Sequence, residues 1–221
     1  MTPVDDFEHL ARENRLVGYF GYGSLVNRRT LRTGVVAAWP ARLRGWRRTW
    51  RARPDMGPTP LEALAPGLAP CLLSAHPDPG SAIDGLLVID RAENLEAVDA
   101  REFRYHRRSI GVDALDFGGE VPALAARADI PLHVYEARTE HPPADGPAPI
   151  LRSYLDAVMQ GFLVEFGKAG LSRFVAETAG FDRPVLEDRE APRYARAVDL
   201  SPAEIALFDA ALAPLRGPSG G

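Results

Sequence analysis

Strand-like and helix-like patterns are segregated along this 221-residue sequence. Short apolar and aromatic runs concentrate before residue 140, and helical stripes follow it. That segregation points to an α+β fold with a helical C-terminal third. Val17 to Phe20 reads as a strand, because it is short, aromatic and bounded by glycine. Residues 35 to 53 read as one or two strands, and the Pro/Gly-rich stretch 54 to 70 as a loop. Cys71 to Ala75 and Ile83 to Ile89 read as two strands around a turn at 77 to 80. Asp90, with Glu93 three residues on, predicts a capping box. It opens a helix that places Leu95, Val98 and Glu102 on one face. Tyr105 to Val112 and Leu132 to Ala137 are further strands, and 141 to 149 is a proline-rich connector. Leu151, Tyr154, Leu155, Val158 and Phe162 trace an amphipathic stripe, and a second helix is expected near 171 to 179. Ser201-Pro202-Ala203-Glu204 is a helix start with its own capping box. The expectation is one domain over 1 to 216 and a disordered tail at 217 to 221.

Composition excludes several classes of function. Acidic residues number 30 against 26 basic, a net charge of −4, which does not suit a generally nucleic-acid-binding chain. One cysteine, Cys71, rules out an internal disulfide framework and a Cys-rich zinc site. No signal peptide is readable at the start, and no segment approaches the roughly 18 apolar residues of a membrane span. The expected location is the cytoplasm. Lys168 is the only lysine, so arginine richness reflects codon bias before it reflects function.

Three stretches can carry chemistry. Gly21-Tyr22-Gly23-Ser24-Leu25 follows a strand directly, and successive N–H groups in such a turn can nest an anion. Taken alone, it is more simply an ordinary glycine turn. It is neither a nucleotide P-loop nor a GxSxG nucleophile elbow. Glu102 has two readings. On a buried helical face its pKa rises, which suits a group that takes and returns protons. With Arg101, Arg104, Arg107 and Arg108 near in sequence, it is otherwise half of a salt bridge. The third stretch is Arg42 to Arg53, where arginines interleave with Trp46 and Trp50. Strand alternation puts Arg44, Trp46, Arg48 and Trp50 on one face and Arg47, Arg51 and Arg53 on the other. The charge is therefore split, with tryptophans packing and arginines solvated or paired. Tyr135 is most simply a core aromatic, with a hydroxyl able to face a cavity. None of the five histidines has HExxH or HxH spacing, so no metal site is expected.

In this order the pieces resemble the γ-glutamylcyclotransferase family, particularly its bacterial and ChaC-like branches. Tyr19-Phe20-Gly21-Tyr22-Gly23-Ser24-Leu25 looks like the family's strand and YGS[LN] substrate loop. Arg44-Gly45-Trp46-Arg47-Arg48-Thr49-Trp50 is similar to the G-Y-x-R-x-F-W type of strand. Leu95 to Glu102 resembles the L-D-x-R-E segment, and Pro131 to Tyr135 the later V-Y strand. One departure is Phe103-Arg104-Tyr105, where the ChaC-like pattern has Gly-Tyr soon after the glutamate.

The resemblance implies a small mixed β-barrel with flanking helices. It also implies a cofactor-independent enzyme of the lyase type that cleaves a γ-glutamyl amide by cyclisation. The products are 5-oxoproline and a free amine. Glu102 is then general base and acid, with Tyr22, Gly23, Ser24 and Leu25 as the substrate loop. Tyr105 and Tyr135 are further pocket residues. The implied partner is a small γ-glutamyl substrate such as glutathione, a γ-glutamyl peptide or a γ-glutamylamine, with neither nucleic acid nor membrane. The rival expectations are a non-catalytic ligand-binding protein of the same fold and a nucleic-acid-binding module built on Arg42 to Arg53.

Overall fold

A computed structural model describes residues 9–31, 33–52, 70–123, 125, 127, 129–138 and 148–215. The expected tail at 217–221 and almost all of the 54–70 loop and the 141–149 connector lie outside these residues. Seven strands form one mixed sheet: β1 (Leu16–Gly21), β2 (Ala37–Ala52), β3 (Cys71–Arg91), β4 (Tyr105–Ile110), β5 (Leu115–Asp116), β6 (Leu132–Ala137) and β8 (Thr178–Ala179). β7 (Ile150–Leu151) and β9 (Val185–Leu186) pair separately. The helices are α1 (Leu95–Arg101), α2 (Arg152–Glu177) and α3 (Pro202–Leu212).

β1 is wedged between two neighbours. It runs antiparallel to β3, with Phe20 opposite Leu87, and parallel to β6, with Phe20 opposite Val134. Beyond the end of β1 the neighbours meet each other, Ala75 of β3 pairing with Glu136 of β6. The sheet therefore curls into a half-barrel, and the chain after Gly21 must leave it where β3 and β6 close. Both faces of β1 are covered, so all six of its residues are buried. Phe20 belongs to the main core shared with α2 and α3. Tyr19 packs with Leu86, Val88, Val98 and Tyr135 in a smaller core under α1.

Two strand expectations are corrected. The stretches 71–75 and 83–89 are parts of one long strand, because β2 pairs with β3 on both sides of the bend near 77–82. A bulge between β2 and β3 sits here: four residues of β3, 78–81, lie opposite the single Gly45 of β2, whose φ of 80° favours glycine. That irregularity reverses the alternation in β2: Ala41 and Leu43 are buried before Gly45, and Trp46, Arg48 and Trp50 after it. Arg44 is thereby removed from the tryptophan face and turned to solvent, where it hydrogen-bonds the Asp113 carbonyl.

The expected capping box at Asp90 is absent. The Asp90 carboxylate instead accepts from the Arg91 N–H, Asn94 Nδ2, Thr33 Oγ1 and Tyr19 Oη, while Glu93 pairs with Arg15. A 3₁₀ turn occupies 92–94, and α1 starts only at Leu95. The capping box at Ser201 and Glu204 is formed as expected. The second helix expected near 171–179 is present as the part of α2 after Gly167, whose φ of 65° and ψ of −168° are not helical, and it ends at Glu177.

α2 lies directly on the turn that follows β1. A Cβ at Gly161 would stand 2.6 Å from Asn27 N and 2.9 Å from the Val26 carbonyl carbon. Both obstacles are backbone, so neither can swing aside. Alanine gains about 1 kcal/mol of helix propensity over glycine, against about 1–3 kcal/mol for overpacking. Gly161→Ala is therefore expected to lower the urea midpoint, measured by circular dichroism.

Candidate active site

The chain leaving β1 forms two 3₁₀ turns, Ser24–Val26 and Arg28–Thr30. Local bonds set their shape: Val26 N–H to the Gly23 carbonyl, Asn27 N–H to the Ser24 carbonyl, and Thr30 Oγ1 to the Ser24 carbonyl at 2.6 Å. Asn27 Nδ2 then ties the turns to α2 through the Ala157 carbonyl and Gln160 Oε1. Arg48 holds the turn from beneath. Its Nη1 donates to the carbonyls of Tyr22 and Asp84, both at 3.1 Å, and its Nε to Thr178 Oγ1 at 2.8 Å. The guanidinium lies 4.7 Å from the ring centres of both Phe162 and Phe174. Burial lowers its pKa to about 9, so it remains a cation at neutral pH.

Glu102 comes from the other face. It stands one residue past α1, at φ −98° and ψ 25°, with its N–H still bonded to the Val98 carbonyl. The expected helical placement is thus off by one residue, and the turn away from the helix axis carries the side chain to the loop. Only 16% of that side chain is exposed. Arg101 Nε is 3.0 Å from Glu102 Oε1 but not aligned as a hydrogen bond. The same guanidinium donates to Ser24 Oγ at 3.2 Å and to the Thr30 carbonyl at 3.1 Å. Arg101 therefore joins the carboxylate to the turn. Burial raises the Glu102 pKa, and Arg101 and Arg196 only partly oppose it. The salt bridge is present, and the carboxyl is still pushed up.

A cavity of about 30 Å³ lies between these parts. Tyr22, Gly23, Ser24, Leu25, Glu102, Tyr105 and Tyr135 all line it, together with Tyr154. The hydroxyls are held by main-chain and side-chain partners. Tyr22 Oη donates to the Tyr135 carbonyl at 2.6 Å, and Tyr105 Oη to the Leu73 carbonyl at 2.8 Å. Tyr135 Oη donates to Asp99 Oδ1 at 2.7 Å, so its hydroxyl braces α1. Burial raises the pKa of all four tyrosines, and the Glu102 charge adds to it, so each is a neutral hydrogen-bonding group near pH 7. An adjoining cavity of about 100 Å³ shares Ser24, Glu102, Tyr105 and Tyr154 and adds Tyr194 and Arg196. Among the described residues, no three of His, Cys, Asp and Glu are grouped to hold a metal ion.

Sequence reasoning missed Tyr154, Arg196 and the tie made by Arg101. In the sequence Tyr154 is one member of a helical core stripe, and Arg196 lies 94 residues from Glu102 with no local motif.

The fold has counterparts among solved structures. A protein titled γ-glutamyl cyclotransferase superposes with a TM-score of 0.52 at 15% identity, covering 88% of this chain and 99% of its own. An uncharacterized protein from Homo sapiens superposes with a TM-score of 0.54, at the same identity and coverage. The chain has the γ-glutamylcyclotransferase-like fold. No family model and no curated protein matches the sequence. The likeness is thus one of backbone architecture: the half-barrel, its flanking helices and the helical C-terminal part.

Two outcomes test the site physically. A carboxyl with a raised folded-state pKa stabilises the fold below about 4.3, its unfolded value, and loses that contribution as pH rises through the raised value. Glu102→Gln, which cannot ionise, is therefore expected to gain stability relative to the wild type at pH 8. The gain should vanish at pH 4, measured by urea midpoints at both pH values. Arg48→Met strands two carbonyls and a hydroxyl in the core. It is expected to cost about 3 kcal/mol or more by the same assay.

Proposed function

We propose that the protein is a γ-glutamylcyclotransferase, releasing 5-oxoproline and a free amine from a small γ-glutamyl compound. The observation that carries this reading is a carboxyl with a raised pKa, Glu102, facing the 22–25 turn across a small cavity. Cyclisation needs a proton acceptor beside an amine and a site for a carboxylate or oxyanion, both in one pocket. Glu102 takes a proton from the substrate's α-amine as that nitrogen attacks the γ-carbonyl carbon. The new C–N bond closes the ring, and the old amide C–N bond breaks. Glu102 returns the proton to the departing nitrogen, so the step consumes no water and regenerates the carboxylate. Holding the γ-glutamyl chain curled supplies the proximity that makes the attack unimolecular. N–H groups of the Gly23 to Leu25 stretch are the proposed donors to the α-carboxylate or the developing oxyanion. The raised pKa keeps Glu102 basic enough to accept the proton and acidic enough to return it.

This reading places the protein in the cytoplasm as a lyase of glutathione-type metabolism, working as one domain over residues 1 to 216 without a cofactor. Two observations accord with the location. Among the described residues no helix is long and apolar enough to cross a membrane, and Cys71 is a buried free thiol. Within the Arg42 to Arg53 stretch the charge is divided, with Arg44 and Arg47 on the surface and Arg42 and Arg48 engaged internally, which disfavours nucleic acid as the partner. Arg42 pairs with Asp84 and Glu177, and Arg48 is in the core.

The test is 5-oxoproline release from a panel of glutathione, γ-glutamyl amino acids and γ-glutamylamines. Wild type is expected to turn over at least one member, and Glu102→Gln to fall by about 10²–10⁴-fold. The acid limb of kcat/KM should lie above the ordinary carboxylate range. Full turnover by Glu102→Gln would overturn the mechanism.

A further inference from the structure

A third cavity, of about 390 Å³, lies between α1 and the segment 194–196. Its size falls in the range of small-molecule sites. Leu25, Leu31, Val98 and Phe103 form its apolar wall. Arg101, Arg104 and Arg196 line it too, and none of its described lining residues is acidic. The same three arginines line the 100 Å³ cavity, which contains Glu102. A ligand can therefore have one end at Glu102 and the other among these guanidiniums.

We propose that this cavity receives the leaving half of the substrate and selects amines that bear an apolar body and a carboxylate. The proposal rests on the cyclotransferase reading and adds the class of leaving group to it. All three arginines have contacts within the protein, and they differ in what is left over. Arg101 is committed to Glu102, Ser24 and Thr30. The Arg104 guanidinium lies over the Phe103 ring at 4.1 Å. Arg196 is the selector. Its Nε donates to Tyr194 Oη at 3.0 Å and its guanidinium lies 5.1 Å from the Tyr194 ring centre, contacts that leave both Nη groups without a bonded acceptor among the described residues.

The backbone leading to Arg196 is tied down. Asp188 accepts from the Ser153 N–H, the Ser153 hydroxyl and the Arg193 N–H, and Ser153 Oγ accepts from the Tyr194 N–H. These bonds clamp the segment preceding Arg196 to the first turn of α2. A planar guanidinium held in this way suits a carboxylate. A cationic leaving group, such as a polyamine, would meet three like charges instead.

The test separates binding from turnover. Glu102→Gln leaves the ligand intact, so calorimetry on that variant can compare γ-glutamylphenylalanine with γ-glutamylphenethylamine, which lacks only the carboxylate. The carboxylate compound is expected to bind about tenfold tighter or more. Adding Arg196→Gln should abolish that preference, and adding Arg196→Lys should keep part of it. Equal binding of the two ligands, no binding of either, or a preference that survives Arg196→Gln would overturn the proposal. Turnover assays on the wild type distinguish the two levels. Release of 5-oxoproline at equal kcat/KM from both compounds leaves the cyclotransferase reading standing and removes the subsite. Arg196-dependent binding with no release from either upholds the anion-selective cavity and removes the cyclotransferase reading.

Discussion

The guanidinium of Arg48 is buried among aromatic rings, and the placement of the site depends on it. A charge without water is costly unless its donors are met. Here Nε and Nη1 meet a hydroxyl and two carbonyls, the faces of Phe162 and Phe174 cover the plane, Nη2 is left without a hydrogen-bond partner, and among the described residues no carboxylate is in direct contact. Asp84 contributes its carbonyl, while its carboxylate is held by Arg42 and Arg173. This arrangement connects the turn after β1 to the bent strand β3 and to the end of α2. A hydrophobic residue could fill the volume, but it could not satisfy the Tyr22 carbonyl at the point where the chain leaves the sheet.

From that anchor the site is assembled by three further constraints. β1 ends where β3 and β6 close on each other, so the chain has to turn out of the sheet. Gly161 lets α2 approach the turn to backbone contact. Arg101 then reaches from the end of α1 to both Ser24 and Thr30. Glu102 is the next residue, so the group that fixes the loop also fixes the carboxylate. Its charge is penalised by burial and only partly repaid by the arginines around it. In the proposed mechanism that residual cost is what the site uses, because an easily ionised carboxylate would be a poor proton acceptor.

Much of this was legible locally. The apolar, aromatic run before Gly21 was readable as a strand, the Ser201 to Glu204 pattern as a capped helix start, and the strand-to-helix order as α+β. Glu102 and the 22–25 turn were singled out as chemically suggestive stretches. Other features resisted local reading. Gly45 reverses the inside-outside pattern of β2, and nothing in a two-residue period announces a bulge. Asp90 was matched to a capping pattern, but Tyr19 and Thr33 compete for its oxygens from distant parts of the chain. Residues 71 to 91 contain proline and glycine, yet they continue as one strand because β2 bends with them.

The sequence by itself determined the types of element, their order and the short motifs that carry polar chemistry, because these depend on propensities and spacings within a few residues. Only the tertiary structure decided what those motifs face. Whether a glutamate beside four arginines is simply paired, or paired and still destabilised as an anion, depends on how much water the fold removes from it. Whether Arg48 and Arg196 look at solvent, core or cavity depends on a bulge and on a clamp made by residues far away in the chain. Desolvation and long-range pairing are properties of the packed volume, and no local pattern encodes them.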